Sequence, residues 1–205
     1  PLLRNEQETG NERVVGVVQV LNKKDGTPFG PYDEELLGAF ASQAAVALDQ
    51  ARLVSSYVEK QKMKQALAVA QQIQKSMLPD EDPVVPGLDV AGISIACDET
   101  GGDYYDYVTT TDGRLGIVVG DVAGLGVGAA LLMATARSLL RAFARRDSEI
   151  PRMFADMNDQ LESDMGDEKF MTMFYGIIDP AARTLDYASA GHDEPIVYRP
   201  ATDAF

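Results

Sequence analysis

The sequence predicts an α+β protein, and three features carry that expectation. A helical pattern runs without a breaker from Asp33 to Met77 and ends at Pro79. Beyond it the order is strand, acidic turn, hairpin, two helices and three strands. Strands grouped apart from paired helices favour a layered α+β sandwich over alternating βαβ units. Finally, one stretch between Gly101 and Arg145 concentrates glycines and aspartates where a strand hands over to a helix.

The elements follow in order. Residues 13–22 (RVVGVVQVLN) read as a strand, with Gly16 marking a bulge or close backbone approach. Lys23-Lys24-Asp25-Gly26 is a turn, Pro28-Phe29-Gly30-Pro31 ends regular structure, and Asp33 caps the long helix. Phe40, Ala44, Ala47, Ala51, Val54 and Val58 form a seam with alternating spacings of four and three. From Phe40 to Ala47 it is expected to face a core. From Ala51 onward it predicts a parallel coiled-coil dimer, because a helix of roughly 70 Å, at about 1.5 Å per residue, needs a partner. Glu59 to Lys62 is polar throughout, and a second seam (Met63, Leu67, Ala70, Gln74, Met77) resumes out of phase.

After Pro79 comes a loop, Asp80 to Pro86, and then Leu88 to Ala96 alternates like a strand. Leu115 to Val119 is a β-branched strand reached through the Asp112-Gly113 turn. Ala129 to Ala144 and Pro151 to Met165 are helices. Phe170 to Ile178, Leu185 to Ala190 and Ile196 to Arg199 read as strands.

Two strands joined at Asp112-Gly113 would bring Asp103 or Asp106 near Asp121. Converging carboxylates among glycines suit a hard divalent cation. The rival reading is a nucleotide loop, since Gly124-Leu-Gly126-Val-Gly128-Ala129 fits G-x-G-x-x-A. Asp121 would then put negative charge beside a pyrophosphate, and a helix follows where a second strand is required.

Composition narrows the class. The 205 residues carry 18 Lys+Arg against 32 Asp+Glu, a formal net charge of −14. That balance argues against nucleic acid or an anionic membrane as the main partner. The lone cysteine, Cys97, excludes an intrachain disulfide framework and suits a cytoplasmic setting. No apolar run is read as membrane-spanning.

Two resemblances join this reading. Gly16-Val-Val-Gln-Val-Leu-Asn22, Phe29, Asp33-Glu-Glu-Leu-Leu37 and Ala41-Ser-Gln-Ala-Ala-Val-Ala-Leu48 resemble the C-terminal end of a GAF sensor domain. Gln72-Ile-Gln-Lys-Ser-Met-Leu-Pro79, Gly101-Gly-Asp-Tyr-Tyr-Asp106, Gly120-Asp-Val-Ala-Gly-Leu-Gly126, Ala129-Ala-Leu-Leu-Met-Ala134, Met171-Thr-Met-Phe-Tyr175 and Ala190-Gly-His192 occur in the order of another family. Together they resemble the PPM-type bacterial serine/threonine phosphatases of the stage II sporulation E class. The expected layout is a GAF end over 1–50, a coiled-coil linker over 51–79 and the N-terminal portion of a phosphatase domain over 80–205.

The resemblance implies a β-sandwich flanked by helices, with two Mn²⁺ or Mg²⁺ ions at one end. It makes Asp121 the acid bridging both metals, Val122 a ligand through its backbone carbonyl, and Asp103 the acid of the first acidic motif. Gly102 and Asp106 take structural roles first. It also implies a phosphoserine or phosphothreonine substrate on a regulatory protein of the anti-sigma-factor-antagonist type. Leu125 stands where the family usually has Lys or His, and Ala123 where Ser is common. The family's later acidic cluster lies past Phe205, so this stretch is expected to hold part of the ligand set. That expectation keeps a second class open, a non-catalytic dimeric scaffold. His192 is read as a structural hydrogen-bonder, and Tyr104, Tyr105 and Tyr107 as packing residues.

Overall fold

The computed structural model describes residues 2–5, 12–96, 99–146, 149–165 and 169–205. Cys97 lies outside them. The chain divides into two compact units, Pro1–Gln65 and Ala66–Phe205.

In the first unit, β1 (Leu2–Asn5) pairs antiparallel with β2 (Glu12–Gly16). Leu2 faces Gly16 while Leu3 faces Val14, so an extra residue is inserted beside Gly16, the irregularity that the glycine predicted. The strand expected over 13–22 stops at Gly16. Past it Val17, Val18, Val20 and Leu21 are exposed without a ladder partner among the described residues.

The long helix α1 spans Pro31–Lys75. Proline at its first position gives up only an N–H that a helix start leaves unused. Asp33 accepts from the Gly30 N–H at 2.9 Å and from Lys23 Nζ at 2.7 Å, and the first of these bonds does most to lower its carboxyl below the usual range. The predicted inward face is off by one position. Ala41 and Ala45 are buried, with Ala44 and Val15 against them, whereas Phe40 is 65% exposed. Methyl-sized side chains allow closer packing than a phenyl ring, and the heptad spacing admits either row.

The second unit is built on an antiparallel sheet in the order β3 (Tyr104–Thr109), β4 (Leu115–Val122), β5 (Met171–Asp179), β6 (Thr184–Ala190). Helices α2 (Gly126–Phe143) and α3 (Ile150–Met165) lie between β4 and β5 in sequence. They cover one face, sealing Tyr104, Val108, Val118, Val122, Met173 and Tyr175. From α2 come Ala129, Met133, Ala136 and Leu140, spaced four, three and four apart; from α3 come Ile150, Met153, Met157 and Leu161. Each large side chain fully buried there stabilises the unit by about 1.5–3 kcal/mol.

Three sequence expectations change. By length and composition α2 could cross a membrane, contrary to the reading that no run could, yet it is the helix that supplies much of this core. Leu88–Ala96 is not a strand: Ile93 and Ile95 are each 80% exposed, and only a Val85–Leu88 bridge forms. Ile196–Arg199 likewise makes only the Arg199–Ala204 bridge. The nucleotide-loop alternative also falls, because β4 is followed by two helices and an antiparallel β5 instead of a parallel strand.

Candidate functional site

Strand alternation sorts the three aspartates. On β4, Gly116, Val118, Gly120 and Val122 point to the helices, so Asp121 points to the opposite face. Tyr104 and Asp106 share the helix-facing side of β3, which leaves Asp103, just before the strand, on the side of Asp121. Asp103 and Asp106 differ by three positions and so part company.

Asp103 stands beside Asp121. Burial raises the Asp121 carboxyl above the usual carboxylate range, the Asp103 charge and a bond between the two raise it further, and His192 pulls it back. Two carboxylates thus press on each other at one end of the sheet. Gly102 is wedged behind them: its carbonyl accepts the Val122 N–H at 3.3 Å, and a Cβ on it would overlap the Val122 carbonyl. Only glycine fits so close to β4.

Beyond Val122 the chain turns through Gly124 (φ 106°) and Gly126 (φ 76°), values that side chains resist, and enters α2. Its N-cap, Leu125, offers no side-chain bond and lies 70% exposed. An open cleft of about 810 Å³ is lined by Gln74, Gly102, Asp103, Asp121, Val122 and Leu125, among others.

Asp106 belongs to the structure. Fully buried, it accepts from Arg141 Nε and Nη2 at 2.6 Å each, from the Tyr104 hydroxyl at 2.7 Å and from the Tyr107 N–H at 2.8 Å. Arg137 stands 3.7 Å away. The cluster ties β3 to α2, and burial, reinforced by Asp106, pushes the Tyr104 hydroxyl far up.

On the other face, Tyr105 and Tyr107 meet edge to face at 5.9 Å. Tyr105 donates to the Pro79 carbonyl at 3.4 Å and Tyr107 to Asp82 at 2.9 Å. Burial and Asp82 push the Tyr107 hydroxyl up to about 12.

Two contributors to this region had no part in the candidate site read from the sequence. Thr172 lies directly across from Asp121 on β5, and its hydroxyl is 2.8 Å from His192 Nδ1. His192 therefore is a hydrogen-bonder, as expected, and one that also acts electrostatically on Asp121. Gln74 is the other; its signal was a polar residue in an otherwise apolar seam.

The donors fit a divalent cation. Among the described residues no group of three or more His, Cys, Asp and Glu converges, so the site offers two carboxylates and backbone oxygen. Magnesium-like ions bind through one or two carboxylates and keep several waters.

Comparison with known proteins places families along the chain. Residues 111–205 match "Stage II sporulation protein E (SpoIIE)" and residues 1–48 match "GAF domain". Residues matching the GAF model thus precede those matching the SpoIIE model, in the order of the two resemblances drawn from the sequence. It is 27% identical over 145 residues to "Phosphoserine phosphatase RsbU" of Bacillus subtilis, covering 71% of this chain and 43% of the relative. It is 30% identical over 157 residues to "Protein IcfG" of Synechocystis, covering 63% of this chain and 25% of the relative. The chain therefore spans less than half of either relative. Among solved structures, the SiaA-PP2C domain of Pseudomonas aeruginosa matches with a TM-score of 0.48 at 27% identity, covering 64% of this chain and 55% of that one.

Proposed function

We propose that the Asp103–Asp121 end of the sheet is the divalent-metal site of a protein serine/threonine phosphatase in a bacterial signalling protein. The observation that carries this reading is the juxtaposition of two carboxylates, Asp103 pressing on Asp121, beside a glycine whose Cβ would overlap the Val122 carbonyl. Asp121 would bridge the ions, Asp103 would serve one of them directly or through water, and Val122 would add its carbonyl.

Bound Mn²⁺ or Mg²⁺ supplies a water acidified enough to attack phosphorus and neutralises phosphate charge. This chain's own residues hold the geometry. Gly102 keeps the Asp103 loop against β4, and Thr172 with His192 sets the surroundings of Asp121. Asp106 and Arg141 lock β3 to the helix that follows the glycine turn.

The substrate in this reading is a phosphoserine or phosphothreonine on a regulatory protein of the anti-sigma-factor-antagonist type, supported by likeness to a named phosphoserine phosphatase. The full-length protein is expected to release phosphate from phosphoserine protein and from p-nitrophenyl phosphate with Mn²⁺ or Mg²⁺, and to stop with chelator. No metal-dependent release from either substrate would leave the non-catalytic scaffold reading in its place.

The layout of the proposal is a GAF-like sensor segment over 1–50, a linker over 51–79 and phosphatase sequence from 80, working in the cytoplasm as a homodimer. Support for the dimer comes from the first seam beyond Ala51, where Val54 (62%) and Val58 (44%) are exposed on a helix with a heptad pattern. Replacing both Ala51 and Val54 with Glu is expected to shift the full-length protein to monomer in sedimentation, because like charges would face each other at the seam. A double variant that stays dimeric at the same concentration removes the linker from the dimer interface.

A further inference from the structure

The end of α1 reaches the Asp103 loop through one side chain. Gln74 Nε2 donates to the Gly101 carbonyl at 2.6 Å, and the Gly101 N–H donates to Gln74 Oε1 at 3.2 Å. The carboxamide therefore satisfies both backbone polar groups of one residue, as a neighbouring strand would. Two antiparallel bonds to one residue fix its orientation as well as its distance.

Gly101 precedes Gly102, which is wedged against Val122, and lies two positions before Asp103. Any shift of Gly101 is passed straight to that pair. The helix end is itself anchored nearby, since Leu78 packs against the core and Tyr105 bonds the Pro79 carbonyl. Gln74 is thus held from behind while it holds the loop in front. An apolar residue would satisfy the seam equally well and could make neither bond.

We propose that Gln74 is a positioning residue: its carboxamide sets the placement of Asp103 relative to Asp121, so the last turns of the long helix govern the metal affinity of the site. This inference rests on the metal-dependent phosphatase reading. It assigns the helix end a chemical task, presenting one amide to one glycine, through which any displacement of the helix would reach the ligands.

The test uses the full-length protein, Mn²⁺ calorimetry, and phosphate release as a function of Mn²⁺. Gln74→Met keeps the length and bulk of the side chain and removes both bonds. It is expected to weaken Mn²⁺ binding by about 10- to 100-fold, the range for residues that orient metal ligands. Turnover at saturating Mn²⁺ should return to within a few fold of wild type, with a melting temperature close to wild type. Gln74→Leu likewise removes both bonds and adds no charge beside the carboxylates, so it should also bind Mn²⁺ less well than wild type. That variant also serves if Gln74→Met fails to fold.

A folded Gln74 variant with wild-type Mn²⁺ affinity overturns the inference, as does a turnover defect that saturating Mn²⁺ leaves in place. Failure of the underlying reading looks different: wild-type protein itself would neither bind Mn²⁺ nor release phosphate.

Discussion

Asp121→Asn in the full-length protein is expected to abolish metal-dependent phosphate release while leaving the fold standing. The side chain projects from the sheet face opposite the core, so its replacement by an amide of the same shape disturbs no packing. The carboxylate presses against Asp103, an arrangement costly in free energy until a cation joins it. Neutralising Asp121 removes that repulsion and, in the proposed role, the bridging ligand. A loss on the order of 10³-fold follows if ligation supplies ~4 kcal/mol of transition-state stabilisation. Initial rates across a Mn²⁺ series, beside a thermal melt, decide it. Wild-type turnover in a variant that binds Mn²⁺ normally would remove Asp121 from the site.

Asp106→Ala should behave in the opposite manner. The carboxylate has no exposed side-chain surface, and its loss leaves the buried Tyr104 hydroxyl without its acceptor, Arg141 without the carboxylate it pairs with, and Arg137 without its ion-pair partner. Breaking a fully buried pair from one side costs about 3–5 kcal/mol, and the partly exposed Arg141 places this one toward the lower end. That is a large share of a domain stability on the order of 5–15 kcal/mol. A sharp fall in the denaturation midpoint of the unit containing β3 is expected, with metal-saturated activity per folded molecule retained. An unchanged midpoint would mean that the ion pair contributes little net stability. A stable but metal-deficient variant would move Asp106 from scaffold to ligand.

Together these substitutions bear on how much could be read from sequence. The strands and helices around the site were legible because a hairpin turn and two stripes of apolar residues mark them; β3, β4, α2, α3, β5 and β6 follow. The proximity of Asp103 to Asp121 was legible for the same reason, since antiparallel pairing through Asp112-Gly113 leaves few registers. Which aspartate approached Asp121 was left open by spacing and chosen only through the family resemblance; the pleat puts Asp106 on the helix face.

Residues 88–96 and 196–199 misled because alternation reports burial on one face, whereas a strand also requires a backbone partner. Gly92, for instance, gives its N–H to the Asp82 side chain instead of a ladder. Gln74 was read only as a member of the second seam, because its partner is the backbone of a glycine 27 positions away, which helical spacing does not report.

The tyrosines of β3 have one more consequence. The chain has no tryptophan and eight tyrosines, so phenol rings dominate its near-ultraviolet absorbance. Two of them, Tyr104 and Tyr107, sit on opposite faces of one strand with hydroxyls that resist ionisation, one against the Asp106 cluster and one against Asp82. Alkaline difference absorbance therefore gauges both sides of the sheet without an added dye, because these phenols remain un-ionised where a free tyrosine has turned to phenolate.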